Sequence, residues 1–278
     1  MELKYRAVRS GRLSAILRED MAMSAGLVNR LKWQDKLFVN GVPQHTDFAV
    51  QPGDVITVPL DEPKPEYPSE DGPLTVLYED EYMLAVDKPA GMLIHPSRSR
   101  LTGTLANRVL GYYEKTGQNC AFHPLTRLDR DTFGVVLLAK NSHIHALLST
   151  GGFEKIYRAR VLGGPEADQG IIDAPIARLP LPSLLRQVHP DGKPSLTEFK
   201  VLQRFENTSL LELKPVTGRT HQLRVHCAYK GFPILGDPQY GTEESRKGFA
   251  HQQLLAYSLR LNHPFDGSDL EIHTKLQL

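Results

Sequence analysis

The sequence predicts an α+β protein: a mixed, largely antiparallel sheet with flanking helices, preceded by a small α+β unit. Three observations predict it. Strand-like and helix-like runs are interspersed without the regular alternation of a parallel α/β fold. Strand-like runs then dominate, at 156–162, 195–205, 209–213 and 254–261. Finally, the stretch Asp61–Gly72 holds three prolines, five acids and no periodicity, a composition that buries too little apolar surface to fold. The expected division is a small unit at 1–60, an acidic linker at 61–72 and a main domain at 73–278.

In chain order, Leu13, Ile16 and Leu17 share one helical face, and Leu27, Val28 and Leu31 share another. Leu37–Val42 reads as a strand running into an Asn40-Gly41 hairpin turn. Pro52-Gly53 then makes a turn before a closing strand at Val55–Val58. Beyond the linker, Thr75–Tyr78 and Met83–Val86 are strand-like, Thr104–Tyr113 is helix-like and Val135–Ala139 is a buried strand. Ser142 is the expected cap of a helix through Leu148. Thr220–Lys230 places Leu223, Cys227 and Ala228 on one helical face and ends at Gly231.

Composition narrows the class. A chain of 278 residues, 40% hydrophobic and 23% charged, suits a globular protein with a sizeable core. No run approaches the roughly 20 apolar residues that span a bilayer, so no membrane partner is expected. The start MELKYRAVRSGRLS lacks the apolar centre of a secretory signal, and Cys120 and Cys227 are too few for a disulfide framework. A cytoplasmic monomer is expected. Net charge is +1, yet residues 1–60 carry +2, 61–72 carry −4 and 73–278 carry +3. Both folded parts are mildly basic, which permits a nucleic-acid partner.

Two distant segments hold the chemistry. Arg127-Leu128-Asp129-Arg130-Asp131-Thr132-Phe133-Gly134 sets a carboxylate between arginines on a loop that feeds a buried strand. Neighbouring cations keep such a carboxyl ionised, and an ionised carboxylate can act as a nucleophile while arginines grip a polyanion. Gly218–His226 enters a helix from a glycine turn, with Arg219, His221 and Gln222 at its start. A helix start offers free amide donors and partial positive charge to a phosphate or carboxylate. Arg219 and Arg224 are five residues apart and point in different directions, one available to RNA and the other facing inward.

Residues 1–60 resemble the RNA-binding domain first seen in a small-subunit ribosomal protein. The likeness rests on Gly11-Arg12-Leu13, Val28–Lys32, Val39-Asn40-Gly41 and Pro52-Gly53-Asp54. Ser14 replaces that domain's usual Asp, and Trp33-Gln34-Asp35 dilutes the charge of its second helix.

Residues 73–278 resemble the pseudouridine synthases, in the large family whose best-known members modify large-subunit rRNA and tRNA. Six motifs in order carry the likeness: Asp87–Met92 with His95-Pro96, Arg127–Gly134, Lys155–Ala159, Gly192–Pro194 with Thr197–Phe199, Gly218–His226, and Gly231–Asp237 ahead of Tyr240-Gly241. The resemblance implies Asp129 as nucleophile and Arg224 as the basic group paired with it. It implies Tyr157 packing on the uracil and assisting proton removal, and Leu223 lining the base pocket. Arg127 corresponds to the arginine that enters the RNA stack or holds phosphate. Thr126 and Phe133 stand where the family has His and Ser.

The implied reaction turns a uridine of rRNA or tRNA out of its stack. Asp129 attacks either the ribose carbon or ring carbon-6, and the uracil rejoins through carbon-5. No net redox change or hydrolysis occurs, so neither metal nor organic cofactor is expected. A metal hydrolase built on the histidines lacks any His-Glu-x-x-His spacing. A purely RNA-binding protein would not require Asp129, Tyr157 and Arg224 together.

Overall fold

The computed structural model describes residues 2–61, 67–97 and 100–278. The first part runs β1 (Glu2–Arg6), β2 (Gly11–Arg12), α1 (Leu13–Glu19), α2 (Ala25–Trp33), β3 (Phe38–Val39), β4 (Val42–Pro43), β5 (Ala49–Val50) and β6 (Val55–Pro59). There follow β7 (Thr75–Glu79), β8 (Met83–Lys88), α3 (Leu105–Lys115), β9 (His123–Pro124), β10 (Phe133–Ala139), α4 (Ser142–Gly151) and β11 (Glu154–Leu162). Next come β12 (Gln169–Asp173), β13 (Ile176–Arg178), β14 (Arg186–Val188), β15 (Leu196–Arg204) and β16 (Thr208–Pro215). The chain closes with α5 (Gln222–Tyr229), α6 (Glu243–Arg246), β17 (Leu254–Asn262) and β18 (Asp269–His273).

Residues 2–60 form a four-stranded sheet, β1-β6-β3-β4, beside two helices. Leu13, Ile16 and Leu17 of α1 and Val28 and Leu31 of α2 close one core with Leu3, Val39, Ile56 and Val58. Asn40 and Gly41 take φ of 51° and 80°, the left-handed pair that a two-residue hairpin demands. Of the expected linker, residues 62–66 lie outside the described residues. The Pro68 carbonyl accepts from Asn107 Nδ2 (2.8 Å) and the Glu70 carboxylate from the Gly103 amide (2.7 Å), so this edge lies against α3.

Among the described residues the main sheet has ten strands in the order β12-β15-β16-β11-β17-β10-β8-β7, with β18 on β17 and β9 on β10. The architecture is α+β and largely antiparallel, as the sequence predicts. One join differs: β10 meets β17 in parallel over two residue pairs, Phe133 with Leu255 and Gly134 with Ala256. Gly134 makes that join. Its φ is +110°, and a Cβ there would lie 2.2 Å from the Ala256 carbonyl oxygen. Apolar cores lie on both sides of this seam, one under α5 and β11 and others under α3 and α4. The α4 cap is Asn141, which accepts from the Ile144 amide, rather than the expected Ser142. No helix among the described residues is long and apolar enough to cross a membrane.

Candidate active site

The loop from β9 to β10 presents Asp129. Its two ends are tied to structure. Thr126 Oγ1 accepts from the Leu137 amide (3.0 Å), and Gln252 Nε2 donates to Thr132 Oγ1 (2.5 Å). Lys88, fully buried, braces the middle: its ammonium donates to the carbonyls of Pro89, Met92 and Arg130 at 2.8–2.9 Å. Burial pulls Lys88 down to about 8, against the pull of Asp131 and Asp129.

Opposite that loop, β16 ends in the turn that leads to α5. The helix begins at Gln222, two residues later than the periodicity implies, because His221 takes the left-handed conformation with φ 58°. Gln222 knots the turn. Its Oε1 accepts from Thr217 Oγ1 and the Arg219 amide, and its Nε2 donates to the Leu196 carbonyl and Thr197 Oγ1, all within 3.0 Å. Arg219 is exposed before the helix, donating to the Pro194 carbonyl, whereas Arg224 is buried within it.

The two segments meet at Asp129 and Arg224. Arg224 Nη1 donates to Asp129 Oδ2 at 2.8 Å. Nε and Nη2 donate to the two oxygens of Asp237 at 2.7 and 2.8 Å, and Nη2 also reaches Gln239 Oε1. Asp129 is therefore held by a distant arginine and not by its chain neighbours, since Arg130 pairs with Asp131 at 3.0 Å. Asp237 is 1% exposed. Burial would raise its carboxyl, but Arg224 together with the Gln239 and Tyr240 amides holds it below the ordinary 3.8. Burial likewise works against the Arg224 charge, and its pairing with Asp237 prevails.

His221 completes the ring around the carboxylate, with Nε2 3.7 Å from Asp129 Oδ1. Its Nδ1 lies 2.8 Å from the Tyr240 hydroxyl, which accepts from the Arg186 amide. Burial lowers the His221 pKa, and Arg224 and Arg186 reinforce the shift against Asp129, so the ring is neutral near pH 7. A hydroxyl proton given to Nδ1 leaves the hydrogen on Nε2, directed at Asp129.

A cavity of about 620 Å³ opens over this pair. All eight residues named from the sequence line it: Asp129, Tyr157, Arg224, Arg127, Leu223, Arg219, His221 and Gln222. Tyr157 reaches it through a bulge, for the pairing of β11 with β17 shifts between Ile156 and Tyr157. Such an extra residue re-aims the side chains beside it. Burial, and then the Asp129 charge, push the Tyr157 hydroxyl well above its ordinary pKa. His95 and Lys155 also line the cavity, and burial lowers both. Arg127 is exposed at the rim.

Sequence reasoning left Lys88, Asp237, Tyr240 and Gln252 without roles. The first three lie in motifs it recognised, but their partners are visible only in three dimensions. Among the described residues no three His, Cys, Asp or Glu side chains gather to hold a metal ion.

Residues 82–229 match the RNA pseudouridylate synthase family. The chain is 39% identical over 249 residues to the uncharacterised RNA pseudouridine synthase YlyB of Bacillus subtilis, covering 87% of this chain and 82% of that protein. It is 34% identical to ribosomal large subunit pseudouridine synthase D of Haemophilus ducreyi, over 73% of this chain and 67% of that protein. Among solved structures, human RNA pseudouridylate synthase domain containing 1 superposes with a TM-score of 0.62 at 27% identity, covering 74% of this chain and 86% of that one.

Proposed function

The chain belongs to the RNA pseudouridylate synthase family and isomerises uridine in RNA, and on that premise we propose that Asp129 is the nucleophile and ribosomal or transfer RNA the substrate. The observation that carries the reading is the Asp129–Arg224 pair at 2.8 Å, on the floor of a cavity wide enough for a base.

Arg224 holds Asp129 in place through its Nη1 hydrogen bond, so the carboxylate is aimed when a uridine enters. A uridine in a stack hides its ring and glycosidic bond, so the base is turned out before attack. Arg127, exposed at the rim, holds phosphate or fills the vacated stack, and Arg219, exposed in the turn before α5, steadies the backbone. Leu223 gives the uracil an apolar wall, and Tyr157 packs on its face. While Asp129 is charged, Tyr157 stays protonated. Once Asp129 is consumed in the covalent bond, one cause of the raised pKa is gone and the hydroxyl is better able to assist removal of the carbon-5 proton. Every hydrogen-bonding position of the Gln222 amide is taken, so its part is to hold the turn carrying Arg219 and His221.

The same reading makes residues 1–60 a small RNA-binding domain, 61–72 a linker and 73–278 the catalytic domain of a cytoplasmic monomer. A relative that bears the name ribosomal large subunit pseudouridine synthase D supports ribosomal RNA over transfer RNA. Mapping pseudouridines in cells with and without the protein identifies the site. Asp129→Asn keeps the shape of the side chain and removes the nucleophile; it should abolish pseudouridine formation while RNA affinity stays within about threefold, because binding energy lies largely in phosphate contacts. Retained isomerisation by this variant would remove Asp129 from the chemistry.

A further inference from the structure

The helix α2 has two faces of opposite character. Val28 and Leu31 are 4% and 2% exposed and close the core of the first unit. Gly26, Asn29, Arg30 and Trp33 are all exposed, and their spacing sets them in one row along the opposite side. Trp33 is 83% exposed and is the single tryptophan of the chain. Lys32 Nζ lies 5.6 Å from the ring centroid. Lys36 is spent on Asp61, but neither Arg30 nor Lys32 makes an ion pair among the described residues. The row holds no acid. A Cβ on Gly26 would meet nothing within 4 Å, so the approach to the row is open.

An indole left in water forgoes the burial that makes a large aromatic worth having in a core. Set beside Arg30, Lys32 and the Asn29 amide, it offers a polyanion what it needs: charge for phosphates, donors and acceptors for a base edge, and a flat face for a base. Base faces are accessible only where the base is unpaired, and stacking on an aromatic ring is tolerant of sequence. Resting on the RNA-binding reading of residues 1–60, we propose that the outer row of α2 is a stacking platform on which Trp33 receives an unpaired base of the substrate RNA. Its neighbours Arg30 and Lys32 hold the adjoining phosphates. The second helix, less basic than in the domain it resembles, replaces part of that charge with a ring. The platform selects RNA with a single-stranded segment beside the target.

With one tryptophan in the full chain, selectively excited emission reports on this ring alone. Single-stranded RNA should quench it saturably, and a duplex of equal length should quench it far less. Trp33→Ala should weaken single-strand affinity by about fivefold or more, the lower end of base stacking on an aromatic ring. Turnover at saturating RNA should be unchanged, and Trp33→Phe should restore most of the affinity. Unmoved emission while RNA binds and is isomerised overturns the platform, as does equal quenching by duplex. A chain carrying Arg12→Ala, Arg30→Ala and Lys32→Ala separates the two levels. If it loses RNA affinity and Trp33→Ala does not, stacking alone falls. If neither loses affinity, RNA binding by residues 1–60 falls as well.

Discussion

One guanidinium serves two carboxylates, Asp129 in the cavity lining and the buried Asp237. Arg224 spends Nε and Nη2 on Asp237, which fixes the plane of the group and leaves Nη1 to Asp129. Asp237→Asn keeps the volume but offers an amide to two backbone N–H groups and a guanidinium, so Arg224 is free to tilt. Misplacing a reacting group by about 1 Å can cost about 100-fold, and a fall of that order is expected in single-turnover rate with RNA affinity kept. Breaking a buried pair also costs roughly 3–5 kcal/mol of stability. The sign with pH follows from the depressed carboxyl: its stabilisation is complete above the ordinary 3.8 and is lost as pH falls through the lower folded value. The stability gap between wild type and Asp237→Asn should therefore be wide at neutral pH and narrow as pH falls through the depressed folded value, measured by denaturant titration. A constant gap would show that the carboxylate charge is not what matters. Asp129, Tyr157 and Arg224 were legible because each sits in a dense motif. Asp237 was legible only as a motif letter, since its partner lies thirteen residues back, across the end of a helix and a turn.

At the scale of elements, the site depends on how closely β10 and β17 approach. Gly134 has no Cβ, so the Ala256 carbonyl fills the space one would occupy and the loop bearing Asp129 lies against β11 and α5. Gly134→Ala introduces a positive-φ alanine and a clash with backbone, for a loss of roughly 3 kcal/mol or more, with activity falling further as the strands part. Thermal unfolding and a uridine isomerisation assay on the same preparation test this; unchanged stability would mean the strands adjust freely. The strand–helix pattern around the seam could be read from hydrophobic periodicity and turn residues. The seam could not. A parallel contact of two residue pairs leaves no periodic signature, and a glycine before an apolar run announces a turn as readily as a close approach. The α5 boundary shifted for a related reason: a left-handed histidine is a local choice that the Gln222 knot stabilises, invisible in propensity.

Across the whole molecule, the first unit touches the main sheet through a few side chains whose state can be followed. Tyr82, on the main sheet side, packs against the core of residues 3–60 and stacks on Phe265 at 3.9 Å. His143 of α4 is buried and bonds to the Met21 backbone, and burial outweighs that bond in lowering its pKa. Removing residues 1–60 should return His143 toward its ordinary 6.5, because the larger cause is lost along with the smaller opposing one. A proton NMR titration of the histidines reads this directly; a His143 that still titrates low in the shortened chain would place its burial within the main domain. The same deletion also tests the division of labour. The cavity is lined entirely by residues beyond 92, so turnover at saturating RNA should persist once circular dichroism shows the shortened chain folded. Affinity should drop and its salt dependence flatten, since each lost phosphate contact removes about 0.7–0.9 from the slope of log affinity against log salt. Residues 1–60 carry only +2 overall, yet Arg12, Arg30 and Lys32 are exposed and free of ion pairs among the described residues, so the local field exceeds what the net charge implies. An unchanged slope would leave RNA capture to the rim arginines of the cavity, and the first unit to packing alone.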